Sequence, residues 1–231
     1  MIEMNLGVVR PSAISSSSAV FDKPVHMYRG TTMAGIIRDE ARHDPSRGFV
    51  GGYEMETLSL GLPFMAAFLN PGRWGRSFTT ALDRYDHMAG LWIVGEDMPR
   101  EENRITLRKD EKDEHGMPIA DVHFDDHPND TAMRDQCLQP RPGFVRHLRR
   151  DQDVPDAPYP STHNLGTNRM SEMAADGVVN KHGQTHDIKN LFVSDGSQLT
   201  TGGAENPTLT IVSLAIRQSD YIAAQMSAKS I

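Results

Sequence analysis

The sequence feature that most constrains the fold is the start of a long helix near the C-terminus. No charged residue occurs from Asn206 to Ile216, and the apolar spacing predicts a helix over residues 206–226. Asn206 suits the N-cap and Pro207 suits the first helical position, where a missing N–H costs nothing. Because the segment is uncharged, we expect this helix end to be buried, and its open N–H groups then need acceptors.

Two interpretations account for such a helix start. The N–H groups of Thr208, Leu209 and Thr210 can bind an anion or the electron-rich edge of a ligand, favoured by the positive end of the helix dipole. Gly202 and Gly203, just before the helix, would let the backbone approach a planar ligand closely. A capped core helix without any ligand explains the same local pattern.

A second polar segment, STHNLGTNRM at residues 161–170, contains a candidate general base. His163 precedes a tight polar turn, and an unperturbed histidine pKa of about 6.5 suits proton transfer near neutral pH. The chain has ten histidines, so this residue alone does not define a site.

Alternating apolar residues predict an antiparallel sheet in the middle of the chain. Strands are predicted at residues 53–60 and 90–98, with a helix from Trp74 to His87 between them. Near the C-terminus, the uncharged residues 191–194 suit a buried strand of the parallel type. The expected fold class is therefore α/β with an α+β part.

A hairpin is predicted after the second of these strands. Ile105 and Leu107 on the first strand are expected to face inward, and Val122 and Phe124 on the second strand are expected to share one face. The charged segment Asp110–Gly116 forms the solvated turn between them. Consecutive hairpin strands give an antiparallel sheet.

The composition excludes several classes of function. The net charge is −7, which argues against a nucleic-acid-binding protein because such proteins carry a basic face. The single cysteine, Cys137, allows no disulfide within the chain. The sequence shows no signal peptide and no apolar stretch near the ~20 residues that span a bilayer, so we expect a soluble cytoplasmic protein.

Four motifs occur in an order and spacing that is far more specific than any one of them. They are HNLGTNRM at 163–170, VVN at 178–180, NLFVSDGS at 190–197 and ENPTLTIVSLAIR at 205–217. This combination resembles the C-terminal signature of the glucose–methanol–choline (GMC) oxidoreductases. The likeness is closest to bacterial members that act on sugars, sugar acids and glycosides.

The resemblance implies FAD-dependent oxidation of a sugar-like alcohol. The histidine of the H-x-x-G-T turn, here His163, would take the hydroxyl proton while hydride passes from the alcohol carbon to flavin N5. The second active-site position, here Asn206, would orient the hydroxyl oxygen by hydrogen bonding.

The resemblance also implies which residues bind the cofactor. The helix N-terminus at Asn206, Pro207 and Thr208 would place N–H groups near the N1–C2=O2 edge of the flavin. Asp195 and Gly196, after the predicted strand, would run beside the ribityl and phosphate part of FAD.

A domain organisation follows from the same resemblance. Residues 1–20 would be an irregular N-terminus, with a flexible run at Ser15–Ser18, and residues 21–158 would form the antiparallel-sheet substrate-binding domain. Residues 159–231 would contain the active site with the last strand and helix of a Rossmann-like FAD domain.

Family members begin with a G-x-G-x-x-G motif that holds the pyrophosphate, and this chain has none. We expect the N-terminal FAD-binding half to be missing. The chain would then either be poorly stable alone or depend on a partner chain that supplies that half.

Residues 139–157 depart from the family pattern. Pro140 and Pro142 fall where a helix would continue, and proline inside a helix costs ~3 kcal/mol, so the helix must stop there. The basic residues that follow are interpreted either as an anion-binding patch or as an irregular exposed loop. A local frame error is a further hypothesis for this abrupt loss and return of similarity.

Two alternatives to a flavoenzyme stay open. The chain could be a remnant that keeps the motifs and binds no flavin. It could also be a metal-binding protein, because His123, Asp125 and His127 in the segment HFDDH lie close together and are suitable ligands. A polar strand end before Pro128 explains the same segment.

Overall fold

A computed structural model of the chain describes residues 6–7, 14–20, 23–24, 35–58, 74–83, 85–137, 158–159 and 163–231. The chain divides into two compact units that interleave along the sequence. Unit 1 comprises Met1–Pro11, Glu96–Asp130 and Ser161–Ile231, and unit 2 comprises Ser12–Gly95 and Thr131–Pro160. Among the described residues, no helix has the length and hydrophobicity that crossing a membrane requires. Residues 139–157, where the sequence departs from the family pattern, lie outside the described residues.

Unit 2 is built on a five-stranded antiparallel sheet. The strand order is β3 (Ile36–Ile37), β4 (Tyr53–Leu58), β5 (Met88–Gly95), β2 (Ile14–Val20) and β8 (Pro158–Tyr159). β5 lies at the centre, and its register with β4 runs from Tyr53 opposite Gly95 to Leu58 opposite Gly90. The structure therefore confirms a strand at both predicted positions and their antiparallel arrangement. The second strand ends at Gly95, short of the predicted residue 98, and residues 59–60 lie outside the described residues.

The prediction of an irregular N-terminus is wrong for Ile14–Val20, which forms β2. This strand pairs with β5 from Ser15 opposite Ile93 to Val20 opposite Met88, and with β8 on its other side. Strand preference depends strongly on context, and a segment between two neighbours satisfies its backbone groups on both sides. The serine run gives no pattern from which that position in the sheet could be predicted.

The helix predicted from Trp74 to His87 is shorter in the structure. Helix α1 spans Gly75–Leu82, and a separate 3-10 turn covers Tyr85–His87. The hydroxyl of Thr79 donates to the Gly75 carbonyl at 3.1 Å, and Thr80 makes the equivalent bond to Arg76. Such bonds from side chain to preceding carbonyl weaken and bend a helix, which is consistent with its early end.

The core of unit 2 lies on one face of its sheet. It consists of Phe49, Tyr53, Met55, Ile93 and Met133. Met133 belongs to helix α2 (Pro128–Cys137), whose residues from Thr131 onward are part of this unit. Cys137 packs against the same cluster, and burial raises the pKa of its thiol to about 12, so the thiol stays protonated and unreactive.

Unit 1 contains a smaller antiparallel sheet of three strands. Its order is β1 (Leu6–Gly7), β6 (Arg104–Lys112) and β7 (Pro118–His123). β6 and β7 form the predicted hairpin, with Ile105 opposite Val122 and Leu107 opposite Ala120, so the apolar residues share one face as predicted.

The prediction that Ile105 and Leu107 face inward is wrong for Leu107. Leu107 is 63% exposed and Val122 is 62% exposed, while Ile105 and Phe124 are half-buried. All of β7 is exposed, because the hairpin extends into solvent instead of packing on a core. A sequence pattern identifies which side chains share a face, and it does not identify what covers them.

Residues 163–207 have little regular structure. Single bridges join Met170 to Val179, Val179 to Thr185, and Gln184 to Phe192. The buried strand predicted at residues 191–194 is therefore wrong: the described residues give this segment only the bridge at Phe192, and Leu191 is exposed. Helix α3 (Thr208–Ser227) follows and is the longest helix in the described residues.

Candidate active site

The turn that begins with His163 is anchored by a buried leucine. Leu165 is buried, and Gly166 has a φ of 81°, a left-handed conformation that glycine adopts without steric cost. The Arg169 N–H donates to the Gly166 carbonyl at 3.2 Å and closes the turn. His163 itself is half-buried.

Hydrogen bonds attach this turn to a 3-10 turn at Gly196–Gln198. The Asn168 N–H donates to the Ser197 carbonyl at 3.0 Å, and its Nδ2 donates to Ser197 Oγ at 3.0 Å. The Met170 N–H donates to the Gln198 carbonyl at 2.8 Å. The position of the histidine turn is therefore fixed relative to the Asp195–Gly196 segment.

Asp195 caps the 3-10 turn. Its Oδ1 accepts a hydrogen bond from the Ser197 N–H at 2.8 Å, and its backbone is extended, as an N-cap requires. Asp195 is exposed.

Gly196 lies between the histidine turn and the beginning of α3. A Cβ at this position would lie 2.6 Å from Leu165 Cδ2, 3.0 Å from Ile211 Cδ1 and 3.8 Å from the Asn164 carbonyl oxygen. Only glycine fits this gap without displacing a neighbour. The contacts show that the segment after His163, the Asp195–Gly196 turn and the first turn of α3 meet at one point.

The N-terminus of α3 has no side-chain cap. The helix begins at Thr208, Pro207 occupies the N-cap position, and the Ile211 N–H donates to the Pro207 carbonyl at 3.0 Å. The prediction that Asn206 caps the helix is therefore wrong by one position. Pro207 has neither a side-chain acceptor nor an N–H, so the first amides of α3 receive no intrahelical or side-chain acceptor from the cap.

The C-terminal half of α3 is held by polar contacts with residues 182–193. Buried Gln218 donates from Nε2 to the Val193 carbonyl at 2.7 Å and to the His182 carbonyl at 3.1 Å. Tyr221 donates to Gln184 Oε1 at 3.1 Å, and its ring stacks on His182 with centroids 4.0 Å apart. These contacts fix the orientation of α3 relative to residues 182–193, and therefore also the direction of its N-terminus.

The sequence-predicted site residues thus fall in one unit and on three connected segments. The contacts bring together Gly196, the turn after His163 and the first turn of α3, which follows Asn206 and Pro207. Asn206 and Thr208 are exposed and Pro207 is buried. The described contacts connect the segments that carry a half-buried histidine, an exposed asparagine and a helix N-terminus without a side-chain cap.

This arrangement coincides with a family match. The profile of the GMC oxidoreductases matches residues 99–215, about half of the chain, and corresponds to the C-terminal domain of that family. The chain belongs to the GMC oxidoreductase family.

Relatives of this GMC oxidoreductase are dehydrogenases and oxidases. The 2-methyl-1,2-propanediol dehydrogenase of Mycolicibacterium austroafricanum is 37% identical over 91% of this chain and 40% of its own length. The fructose dehydrogenase large subunit of Gluconobacter japonicus is 31% identical over 60% of this chain and 26% of its own length. The chain therefore spans 40% or less of the length of these two relatives.

One solved structure has the same fold. Pyridoxine 4-oxidase from Mesorbium loti aligns with a TM-score of 0.51 and 15% sequence identity, over 95% of this chain and 43% of that one. At this identity the likeness concerns the fold alone, and it agrees with the antiparallel sheets described above.

The geometry does not support a metal site in the HFDDH segment of this GMC oxidoreductase. His123 Nε2 lies 3.3 Å from Asp125 Oδ2, and both side chains are exposed. His127 Nδ1 instead accepts the Asn129 N–H at 3.0 Å and caps α2. Among the described residues, no group of three His, Cys, Asp or Glu side chains could hold a metal ion.

Several residues that shape the site were not predicted from the sequence. Asn168 and Ser197 join the two turns, and Gln198 and Gln218 are buried polar residues that support them. Short polar residues in turns commonly bond to nearby backbone, but a sequence does not show which distant segment they contact. The only signal was that Asn168 and Ser197 fall inside two of the four motifs.

Proposed function

We propose that this GMC oxidoreductase takes part in the FAD-dependent oxidation of the CH–OH group of a small alcohol or sugar. The observation that carries the proposal is the meeting at Gly196 of the turn after His163, the Asp195 turn and the first turn of α3. A base, an oxygen-orienting amide and helix-start N–H groups without an intrahelical acceptor are parts that suit alcohol oxidation.

His163 is proposed as the catalytic base. As the alcohol carbon loses hydride, with its electron pair, the hydroxyl proton passes to the imidazole and a carbonyl product forms. The hydrogen bonds between Asn168 and Ser197 support this role, because they hold the histidine turn against the 3-10 turn. Positioning of this kind lowers the entropic cost of proton transfer.

Asn206 is proposed to orient the substrate oxygen. Its side chain is exposed, it precedes α3 directly, and the helix N-cap is Pro207 and not Asn206. An amide can donate to the alcohol oxygen before the reaction and to the carbonyl oxygen after it.

Asp195, Gly196, Pro207 and Thr208 are proposed to contact FAD, together with Asn206. The uncapped N-terminus of α3 suits an electron-rich ring edge that gains negative charge. Within the described part of the chain, a Cβ at Gly203 would have nothing within 4 Å, which leaves room for a flat group. FAD, when bound, supplies the hydride acceptor.

The names of the relatives support a hydroxylated substrate. They include a diol dehydrogenase, a fructose dehydrogenase large subunit, and the C-glycoside 3-oxidase of Arthrobacter globiformis. We propose a polyhydroxylated small molecule of this general class as the substrate of the assembled enzyme.

The remaining part of the cofactor site is proposed to come from a segment outside these 231 residues. The 231 residues contain no G-x-G motif, so they supply no Gly-rich turn of the kind that holds a pyrophosphate. A segment with the FAD-binding half would complete both the cofactor site and the substrate site.

Replacement of His163 by alanine tests the catalytic role. The enzyme is assembled from the full chain, FAD and the part of the Mycolicibacterium relative that this chain does not match. In this assembly the turnover of His163→Ala should be about 10²- to 10⁴-fold lower than that of wild type. Flavin absorbance should stay unchanged, because the imidazole does not hold the cofactor. The control is His115→Ala, at the exposed hairpin tip, which should retain turnover.

Near-normal turnover of His163→Ala would contradict the assignment. Purified wild-type assembly that stays colourless with excess FAD would instead identify the chain as a remnant that keeps the motifs without the chemistry.

A further inference from the structure

The buried position of helix α3 is occupied by a polar side chain. The structure describes every residue of α3, and the one that is buried is Gln218, at 5% exposed. A buried amide costs free energy unless its groups are hydrogen-bonded, whereas an apolar side chain of similar size fills such a position without that cost. Packing alone would favour leucine or methionine here, so the glutamine indicates a polar role.

Gln218 donates to two backbone segments at once. Its Nε2 donates to the Val193 carbonyl at 2.7 Å and to the His182 carbonyl at 3.1 Å, which uses both amide hydrogens. The two segments are also joined to each other, because the Val193 N–H donates to the Gly183 carbonyl at 2.8 Å. One side chain therefore ties α3 to both segments.

The segment from Val193 to Gly196 has a second attachment to α3. A Cβ at Gly196 would lie 3.0 Å from Ile211 Cδ1, so Gly196 lies against the first turn of the helix. Ile211 and Gln218 are seven residues apart, so they share one face and are separated by about 10 Å along the helix axis. Three extended residues, the separation of Val193 from Gly196, span about the same length. The segment therefore runs along α3 and is attached at both ends.

The rest of the candidate site is attached to this segment. Asp195 lies inside it, with extended backbone, and caps the 3-10 turn that follows. The carbonyls of Ser197 and Gln198 in that turn accept the N–H groups of Asn168 and Met170 at 3.0 and 2.8 Å. The position of the histidine turn therefore also depends on where the segment is held.

We propose that Gln218 is a positioning residue of the flavin site. By holding Val193 it fixes the spacing between the Asp195–Gly196 turn and the N-terminus of α3, the two parts that would contact FAD. This rests on the proposed function, because the spacing matters for a cofactor that spans both parts. Gln218 follows Thr208 by ten residues, about 15 Å along the axis, so it acts through the backbone.

A role in stability alone explains less. The net gain from a hydrogen bond within a protein is small, because the same groups bond to water in the unfolded chain, and burial of an apolar side chain gains more. Hydrogen bonds are directional, so two of them fix the distance and the angle between the helix and the segment. An apolar contact would leave the segment able to slide along the helix.

Two variants of the full chain separate positioning from stability. Gln218→Leu keeps an apolar side chain of similar size at this position and removes both bonds to the carbonyls. Tyr221→Phe, on the next turn of the same helix, keeps the ring that stacks on His182 and removes the hydroxyl bond to Gln184 Oε1. Neither variant changes a residue that is proposed to contact substrate or FAD.

Amide hydrogen exchange, measured by NMR, follows three N–H groups. Those of Val193 and Met170 report on the segment and on the attached histidine turn. The reference is the Ser171 N–H, which is adjacent to Met170 but donates to the Val179 carbonyl at 2.8 Å, outside the segment. A general loss of stability would accelerate all three, whereas loosening of the segment accelerates the first two.

We expect exchange at Val193 and Met170 to be at least about tenfold faster in Gln218→Leu than in wild type, because opening of the segment no longer breaks the Gln218 bonds. Exchange at Ser171 should stay within about twofold, and Tyr221→Phe should leave all three within about twofold. Equal acceleration at all three amides, the same pattern in Tyr221→Phe, or no acceleration would overturn the proposal.

FAD binding gives a second measurement. In the assembly used for His163→Ala, the dissociation constant of FAD should be at least about tenfold higher with Gln218→Leu than with wild type, since the two contacting parts are no longer held at one spacing. Tyr221→Phe should bind FAD as wild type does. Equal FAD binding by Gln218→Leu and wild type would overturn the proposal.

Failure of the proposed function gives a different result. An assembly whose FAD binding depends on Gln218 but which oxidises no alcohol contradicts the function and supports the positioning role. Alcohol oxidation with equal FAD binding in Gln218→Leu and wild type supports the function and contradicts the positioning role.

Discussion

Gly183 shows how one glycine permits the close contacts that hold α3. Its φ is 70°, and a Cβ there would lie 2.6 Å from the Val193 carbonyl oxygen and collide with Gln218 Nε2. Gly183→Ala should therefore combine backbone strain with the loss of the Gln218 hydrogen bonds. We expect a loss of about 3 kcal/mol or more in the free energy of unfolding, measured by urea denaturation.

The matched control for this residue is Gly116 at the hairpin tip. Its φ is 78°, and within the described part of the chain a Cβ there would have nothing within 4 Å. Gly116→Ala therefore adds the backbone strain alone and should cost only about 1 kcal/mol. Equal losses for the two variants would contradict the role of the collision at Gly183.

At the scale of elements, the hairpin shows what a sequence pattern can and cannot predict. The alternation of Ile105, Leu107 and Val122 correctly predicts the strands and the shared face. It does not predict burial, because burial depends on what packs against that face. The same limit applies to β2, whose serines give no sign of its two neighbouring strands.

The candidate site divides in the same way. The motifs identified the helix start near Asn206 and the turn at Asp195-Gly196, because proline, glycine and capping residues act locally. The strand expected at residues 191–194 is absent in the structure, since a strand needs a neighbour to pair with. The bond between Asn168 and Ser197 joins segments far apart in sequence, and no local preference indicates it.

A paired mutation experiment distinguishes exposed from buried apolar residues. Leu107→Thr/Val122→Thr should change the free energy of unfolding of the chain by less than about 0.5 kcal/mol, because both side chains are exposed. Met133→Ala should cost about 2–5 kcal/mol, because Met133 lies in the core of unit 2. Urea denaturation measures both, and a hairpin loss as large as that of Met133→Ala would contradict the exposed placement.

At the scale of the whole molecule, each unit buries both apolar and polar side chains. In unit 1 the buried polar residues include the glutamines Gln184, Gln198 and Gln218 beside α3. A polar interior is stable only while its groups remain paired, so it is sensitive to changes in charge nearby. His182 is a titratable group in contact with this region, through its stacking on Tyr221.

Acidification should therefore weaken unit 1 through His182. Burial lowers the pKa of His182 below 6.5, and the positive charges of Lys181 and Arg217 lower it further. A proton then binds the unfolded chain more readily than the folded one, so this contribution is present above pH 6.5 and is lost as the pH falls through the folded-state pKa. His182→Phe keeps a ring against Tyr221 and removes the proton-binding site.

The comparison is made by urea denaturation at about pH 7.5 and about pH 5. Wild type should lose more stability on acidification than His182→Phe, and the difference isolates this residue from all other titrating groups. One of those is Asp130, whose pKa is raised by burial and whose contribution therefore has the opposite sign, with stability lost as the pH rises through its folded-state pKa. Asp130 is unchanged in the variant and cancels in the comparison. If wild type and His182→Phe lose the same free energy of unfolding on acidification, His182 titrates alike in the folded and unfolded chain. The stacked contact would then have no part in the acid sensitivity of unit 1.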